Sequence, residues 1–424
     1  MALVTGLITG AAAYFLKHLI GFISAQFMLL MNPAECNWPM LVLPIVGIVL
    51  AGMYQRYVLH TEIYHGVERL GLAVAHRKYR MPAFLMYAPI VASSLTLGFG
   101  GSAGSEGPIA YTGAAIGSNV AKRFGVRPEL MRYMLACGAS AGIAGIFMAP
   151  IGGALFSLEV LSVELSVVAV AAVFVASLAS WMMAFILGGY MPDLAFIHYS
   201  HFGEQAWPFV LALGVFCGIY SFYYSRIMRR MVKIYNAMQN PWIKNIISGA
   251  VVAGCVFLFP ALWGEGYGFI AKVLSDHGSD IVQYSVFASS DSLIDTKTFV
   301  LIAAGILILK PFATASTNSG GGVAGDFAPT LFAGCIAGYF FALTGNLAFG
   351  WSLQPADYAF LGMAGVMAGA IQAPLMAIFI VVEMVSHYAL LLPVMATATI
   401  SFAMMKVAGK VVNLHWFFRN RASK

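Results

Sequence analysis

Residues 138–159 read GASAGIAGIFMAPIGGALFSLE, and residues 362–383 read GMAGVMAGAIQAPLMAIFIVVE. Aligned without gaps, the two stretches share six residues, among them an Ala-Pro pair at the same offset and a final glutamate. Such a repeat predicts that the chain consists of two related halves. We place the first half at roughly residues 1–200 and the second at roughly residues 207–424, within one transmembrane domain covering residues 1–424.

The composition is that of a protein surrounded by lipid. Hydrophobic residues make up 60% of the 424 residues and charged residues 9%, whereas soluble domains carry about 25% charged residues. Apolar stretches recur from residue 2 to residue 402, and each helix that spans a bilayer needs about 20 apolar residues. We therefore predict an all-α polytopic membrane protein with more than ten membrane segments.

The charges and cysteines restrict the partners. Net charge is +6, and the basic residues cluster at 77–80, 122–132, 226–233 and 406–424. The positive-inside bias places these segments, including the C-terminus, in the cytoplasm, so we expect lipid rather than nucleic acid as the surroundings. The five cysteines form no CxxC or Cys/His spacing, and we expect no metal and no cofactor.

A glycine-rich break closed by proline precedes each copy of the repeat. Residues 100–108 read GGSAGSEGP, and residues 320–329 read GGGVAGDFAP. Backbone that is not helical is tolerated at membrane depth only where it is buried in protein or lines a polar cavity. Two such breaks at matching places in two halves predict a binding site where the halves meet, while the isolated glycines and alanines let helices pack closely.

The breaks favour an anion as ligand. Proline is common in the first turn of a helix, so Pro108 and Pro329 mark helices that begin inside the membrane. The N–H groups at such helix starts and the positive end of the helix dipole bind anions. Neither break contains Lys or Arg, which predicts a site that uses partial charges and releases its ion readily.

Glu106 is the main candidate for a functional side chain, because a carboxylate at membrane depth marks function by default. It lies among the predicted donors and can compete with a bound anion when ionised. The alternative is a glutamate that merely caps its helix. Asp326, in the second break, faces water, caps its own helix or takes part in transport. Glu159 and Glu383, each nine residues after its Ala-Pro proline, are expected to accept hydrogen bonds from backbone groups near helix ends.

At these residues the chain resembles the CLC family of chloride channels and anion/proton antiporters. Its segments GSEGP (104–108) and GDFAP (325–329) are similar to the family signatures GxEGP and GxFxP, and the repeat extends the likeness over essentially the whole chain. The resemblance implies two inverted repeats of tilted and broken helices, and a homodimer with one anion pathway in each subunit. No cytoplasmic nucleotide-binding (CBS) module is expected.

Carried over residue by residue, the resemblance makes Glu106 the gating glutamate and assigns anion binding to the breaks. The anion-binding positions are Gly104, Ser105, Gly107, Gly325, Asp326, Phe327 and Ala328. Three further positions on the anion or proton path depart from the family pattern. The segment YHGVE (64–68) stands where the family has GSGIP, which puts His65 at the anion-coordinating serine and keeps Gly66. Asn413 falls at the central tyrosine, and Val160 at the internal proton-transfer glutamate.

These departures favour a passive chloride channel of the cell membrane over the alternative, a proton-coupled antiporter. His65 is either a protonatable anion ligand or a polar residue at a helix end. A more distant alternative is an intramembrane enzyme, but the apolar segments contain no GxSxG, HExxH or paired Asp motif. A cation transporter should instead present carbonyl ends or acidic rings at its breaks.

Overall fold

The computed structural model describes residues 1–31, 37–63, 70–71, 79–161, 166–189, 203–275 and 296–422, with side chains described up to residue 409. Its regular structure is helical, as the sequence predicts, and the one extended pairing in these ranges joins Gly104 to Gly325. The helices are α1 (Ala2–Met28), α2 (Pro39–Met53), α3 (Ala88–Gly98), α4 (Glu106–Arg123), α5 (Pro128–Phe147), α6 (Pro150–Glu159), α7 (Val167–Gly188), α8 (Trp207–Asn236), α9 (Pro241–Leu258), α10 (Tyr267–Leu274), α11 (Thr296–Ser319), α12 (Phe327–Phe349), α13 (Pro355–Ile371), α14 (Pro374–Val385) and α15 (Leu391–Ala422).

Within the described ranges, nine helices are long and apolar enough to cross a bilayer, and three shorter apolar helices (α3, α13 and α14) accompany them. The chain is thus a multi-pass integral membrane protein. Helix α4 is not among the nine, because it is less apolar, and most of its residues are buried in protein. It is an internal helix whose surroundings come from the other helices rather than from lipid.

The helix that begins at each break packs tightly against the next helix through glycines. Gly113 and Gly117 on α4 lie five and nine residues after Pro108, and Gly334 and Gly338 on α12 lie at the same offsets from Pro329. A Cβ atom at any of these four positions would overlap backbone atoms of α5 or α13. The prediction that small residues permit close helix packing is confirmed at these crossings.

The Ala-Pro pairs form the same turn in both halves. Pro150 and Pro374 are the first residues of α6 and α14, where a missing N–H costs nothing. Two residues earlier, Met148 and Gln372 end the preceding helices in the left-handed region, with φ of 55° and 64°. The repeat seen in the sequence therefore has a common local structure, while the division of the chain near residue 200 stays a prediction.

Each glutamate of the repeat binds the N-terminus of the opposite short helix. Glu159, at the end of α6, accepts a hydrogen bond from the N–H of Met376 in the first turn of α14 (2.9 Å). Glu383 on α14 accepts one from the N–H of Gly152 in the first turn of α6 (2.8 Å). The expectation that both carboxylates satisfy backbone donors at helix ends is confirmed, and the reciprocal contacts connect α6 with α14.

Candidate functional site

The two breaks meet in the interior of the protein. The N–H of Gly104 donates to the carbonyl of Gly325 (2.9 Å), and the N–H of Gly325 donates to the carbonyl of Gly104 (2.5 Å). A Cβ atom at Gly325 would lie only 2.6 Å from the backbone nitrogen of Gly107. Glycine is required here because the two backbones approach more closely than a side chain permits.

Each break is held in place by a hydrogen bond to a threonine of the other half. The N–H of Ser102, six residues before Pro108, donates to Thr317 Oγ1 (3.1 Å). The N–H of Val323, six residues before the proline of the second break, donates to Thr96 Oγ1 (3.0 Å). Each threonine lies twelve residues before the proline of its own half. This reciprocal arrangement brings the N-termini of α4 and α12 together.

The two helices begin slightly earlier than the prolines predict. Helix α4 begins at Glu106 and α12 at Phe327, so that Pro108 and Pro329 are each the third helical residue. Both prolines still lie in the first turn, where their missing N–H groups leave no helical hydrogen bond unmade. The prediction that the breaks lead into buried helix N-termini is confirmed by this geometry.

Glu106 is fully buried and reaches across to the other half. Its Oε1 accepts hydrogen bonds from the N–H of Ala328 (3.0 Å) and from the hydroxyl of Tyr267 (3.0 Å). Its Oε2 is buried without a hydrogen-bond partner among the described residues, and a Cβ atom at Gly104 would overlap it. The carboxylate thus lies at the N-terminus of α12, where an anion would bind, and its contacts extend beyond the helix that Glu106 begins.

Glu265 is a second carboxylate at the site, and sequence analysis did not identify it. Its Oε1 accepts hydrogen bonds from the N–H of Ser105 (2.9 Å) and from the hydroxyl of Ser105 (2.5 Å). Ser105 is fully buried, whereas Glu265 is half-buried. Glu265 lies just before α10, and Tyr267 is the first residue of α10, so the short segment 265–267 contacts both Ser105 and Glu106.

Lys310 brings a full positive charge to the first break. It is fully buried on α11, its Nζ donates to Ser102 Oγ (3.0 Å), and its Nζ lies 4.7 Å from the centroid of the Phe332 ring. The ammonium group attracts both Glu106 and Glu265. The expectation of a site built on partial charges alone therefore needs correction. A charged residue inside the otherwise apolar run 299–313 was the available signal, since such residues are rarely incidental in membranes.

The remaining predicted residues of the second break have different surroundings. Asp326 accepts a hydrogen bond from Asn318 Nδ2 (2.5 Å) and does not cap α12 with its side chain. The Phe327 ring packs edge-on against Phe156 with centroids 5.7 Å apart. Asp326 thus contacts a neighbouring amide instead of closing its own helix.

Val160, predicted on the anion or proton path, follows α6 as its C-cap residue and is partly buried.

Two cavities lie near the site and share no lining residue: the first reaches the segment that contacts Ser105 and Glu106, and the second reaches the second break. The first has a volume of about 1020 Å³ and is lined by the segment that carries Glu265 and Tyr267, together with Lys17, His18 and Lys272. The second has a volume of about 310 Å³ and is lined by residues of the second break as well as basic groups. Its wall includes Gly321 and Gly322 of the second break, Asn318 and Ser319 at the end of α11, and the basic residues Arg56 and Lys244.

Some predicted positions are not tested by these contacts. His65 and Gly66 lie outside the described residues, and Asn413 lies within α15, where its side chain is also outside them. Within the described ranges, no group of three or more His, Cys, Asp or Glu side chains is arranged to hold a metal ion.

Residues 46–406 match the family described as "Voltage gated chloride channel". The chain belongs to this family, the CLC family. It is 30% identical over 335 residues to chloride channel protein CLC-e of Arabidopsis thaliana, covering 73% of this chain and 45% of that one. It is 27% identical over 315 residues to the H(+)/Cl(-) exchange transporter ClcA of Vibrio cholerae, covering 71% of this chain and 62% of that one. The chain thus spans less than two thirds of each of these relatives.

The CLC fold is supported by a solved structure. The crystal structure of a slow cyanobacterial Cl⁻/H⁺ antiporter superimposes with a TM-score of 0.78 at 22% sequence identity. The match covers 96% of this chain and 94% of the antiporter. At this identity the likeness establishes the architecture and leaves the transport mode to the residues of the site.

Proposed function

We propose that this CLC protein conducts chloride or a similar small anion passively, through a site that the Glu106 carboxylate closes. The observation that carries the proposal is the position of that carboxylate on the N–H of Ala328 at the start of α12. A carboxylate bound there mimics a free anion at a helix N-terminus. When it leaves, the N–H group becomes available to the transported ion.

The charges around the site support an anion as the ligand. Lys310 supplies a buried positive charge, and the two helix N-termini add partial positive charge. At an effective dielectric constant of 20, the attraction between unit charges is about 4 kcal/mol at 4 Å and falls inversely with distance, so a buried lysine bonded to the first break raises anion affinity. The ionised Glu106 offsets that affinity, which allows the site to release its ion.

Passive conduction is favoured by the end of α6. Val160 stands where the resemblance expects the internal proton-transfer glutamate, and it has no titratable group. Its neighbour Glu159 accepts backbone hydrogen bonds from the first turn of α14. Proton-coupled exchange is the second candidate, because the chain is 27% identical to a named H(+)/Cl(-) exchange transporter.

The basic residues support an orientation. The second cavity is lined by Asn236, the last residue of α8, which closely follows the basic segment 226–233; the positive-inside bias puts this end of the protein on the cytoplasmic side of the cell membrane. The first cavity then opens to the outside, and the C-terminus is cytoplasmic.

We further propose a homodimer with a pathway in each subunit, which the family resemblance implies. Cross-linking in native membranes tests it.

Anion efflux from liposomes, with internal pH recorded, tests the function. The purified wild type is compared with Glu106→Gln and with Glu129→Gln, a matched change at an exposed glutamate. We expect chloride efflux without linked proton movement, faster efflux in Glu106→Gln, and no change in Glu129→Gln. Replacing chloride by nitrate, fluoride or bicarbonate ranks the anions.

Two outcomes would contradict the proposal. Proton movement against its gradient, driven by chloride and abolished in Glu106→Gln, would establish the exchanger instead. A complete lack of anion flux in both proteins would reject anion transport, and hydrolase assays on the same samples would then test the intramembrane enzyme.

A further inference from the structure

The segment 263–267, which carries Glu265, lies between the first cavity and the start of α4. It lines the cavity, places Glu265 against Ser105, and places Tyr267 against Glu106. We propose that Glu265 is a second gate, a tethered carboxylate that occupies the donors of Ser105 and must swing into the first cavity before an anion can bind there. This inference rests on the proposed function.

Glu265 occupies both hydrogen-bond donors of Ser105. Both its N–H and its hydroxyl donate to one oxygen, Oε1 of Glu265. Ser105 immediately precedes α4, so its N–H belongs to the set of donors at the helix start. Hydrogen bonds to a charged acceptor are stronger than neutral ones, and a free anion cannot use these donors while Glu265 holds them.

The surroundings of Glu265 allow the side chain to move. Gly264 and Gly266 flank it with φ of 64° and 86°, a backbone conformation that favours glycine. The cavity beside it has a volume of about 1020 Å³, far more than a carboxylate needs. Lys17 and Lys272 line the same cavity, so a displaced carboxylate remains near positive charge.

The same segment couples the two gates. Tyr267, two residues after Glu265, donates to Glu106 Oε1, and the carboxylates of Glu106 and Glu265 repel one another. Movement of Glu265 therefore changes both the charge next to Glu106 and the position of a hydroxyl that holds it. We expect the two carboxylates to act non-additively in a double variant.

The test compares Glu265→Ala, Glu265→Gln and Glu204→Gln, a control at an exposed glutamate outside the cavity walls. The measurements are chloride efflux from liposomes, chloride binding by calorimetry, and the thermal unfolding midpoint of each purified protein. We expect efflux and chloride affinity to rise about tenfold in Glu265→Ala, because a charge-assisted competitor is removed. Glu265→Gln keeps an acceptor for Ser105 but loses the charge, so a rise of about threefold is expected.

A structural role would give the opposite pattern. Lower efflux with a lower unfolding midpoint in Glu265→Ala, and efflux unchanged or lower in Glu265→Gln, would overturn the second gate. Where Glu265→Ala yields no folded protein, Glu265→Gln decides alone by the same criterion.

The failure of this inference differs from the failure of the proposed function. If efflux responds to Glu106→Gln but not to the Glu265 variants, the second gate is wrong and the function stands. If no protein carries chloride, the function is wrong, and the binding measurement then decides whether Glu265 competes with anions at Ser105.

Discussion

The first break (100–108) and the second break (320–329) have similar backbone arrangements but different side chains. Counted from the closing proline, Glu106 in the first break corresponds to Phe327 in the second. Glu106 extends to the other half, while the Phe327 ring packs against Phe156. One half thus contributes an acid that can compete with anions, and the other contributes the donor that receives it. A symmetric scaffold thus carries side chains that act asymmetrically.

The buried positive charge of Lys310 also comes from only one of the two halves. Lys310 lies nineteen residues before Pro329, and the residue at the same offset in the first half is Pro89. The ammonium group of Lys310 nevertheless contacts the first break, through Ser102. The side chains that act on the first break therefore come largely from the second half of the chain.

The largest effect is expected from Lys310→Met, which removes the buried cation at similar length. Loss of a charge near the anion should lower chloride affinity and efflux by about a hundredfold, since a few kcal/mol are involved at an effective dielectric constant of 20. Calorimetry and liposome efflux measure both. Lys310→Arg keeps the charge and serves as the control.

Equal efflux in wild type and Lys310→Met would contradict an electrostatic role for this lysine. A variant that loses efflux while its chloride affinity stays normal would place the effect in the fold of the first break, because Ser102 Oγ then loses its donor.

The next largest effect concerns the paired glycines. In Gly104→Ala the new Cβ atom overlaps the flexible carboxylate of Glu106, whereas in Gly325→Ala it lies 2.6 Å from the backbone nitrogen of Gly107. We expect Gly104→Ala to displace the carboxylate and raise efflux about tenfold, in line with the loss of a charged hydrogen bond. We expect Gly325→Ala to lower stability by roughly 1–3 kcal/mol through overpacking.

Efflux and the thermal unfolding midpoint distinguish the two glycine variants. If Gly104→Ala and Gly325→Ala behave alike, the two breaks are functionally equivalent and the difference between their side chains does not affect transport. A Gly104→Ala effect that persists in the Glu106→Gln background would show that the alanine acts without the carboxylate.

A smaller effect is expected from Tyr267→Phe, which removes one of the two donors to Glu106 Oε1. Without it the carboxylate is held less firmly, and efflux should rise about threefold, at the low end of what a hydrogen bond contributes. Tyr223→Phe is the matched control, because the Tyr223 hydroxyl bonds to the carbonyl of Ile308 on α11. Lower efflux in Tyr267→Phe would mean that the hydroxyl assists the ion rather than the gate.

The sequence predicts the backbone of this site well because the backbone is set by local rules. Glycine runs, a proline in the first turn and the Ala-Pro turns each have one structural meaning at membrane depth. Pro108 and Pro329 therefore locate both helix starts to within two residues. The position of Glu106 follows from the same rules, since it lies inside the motif itself.

The partners of these residues are not predictable in the same way. Glu265 and Lys310 are about 160 and 200 residues from Glu106 in the chain, and only the tertiary fold brings them to the first break. Neither belongs to a motif, and nothing local in the sequence states which break a buried lysine will contact. The charge of Lys310 inside an apolar run indicated a functional residue, but it did not indicate which break that residue contacts.

The smallest effect on transport is expected where the two halves are most alike. In Glu159→Gln and Glu383→Gln each variant weakens the charged contact with the first turn of the opposite helix. A cap of this kind contributes roughly 1 kcal/mol, so both variants should unfold at lower denaturant concentration. Glu383→Gln should lose more, because Glu383 is the more buried of the two. Efflux and internal pH should match those of the wild type in both proteins. Proton movement that disappears in Glu159→Gln alone would make this carboxylate a proton carrier beside Val160, and it would favour exchange over passive conduction.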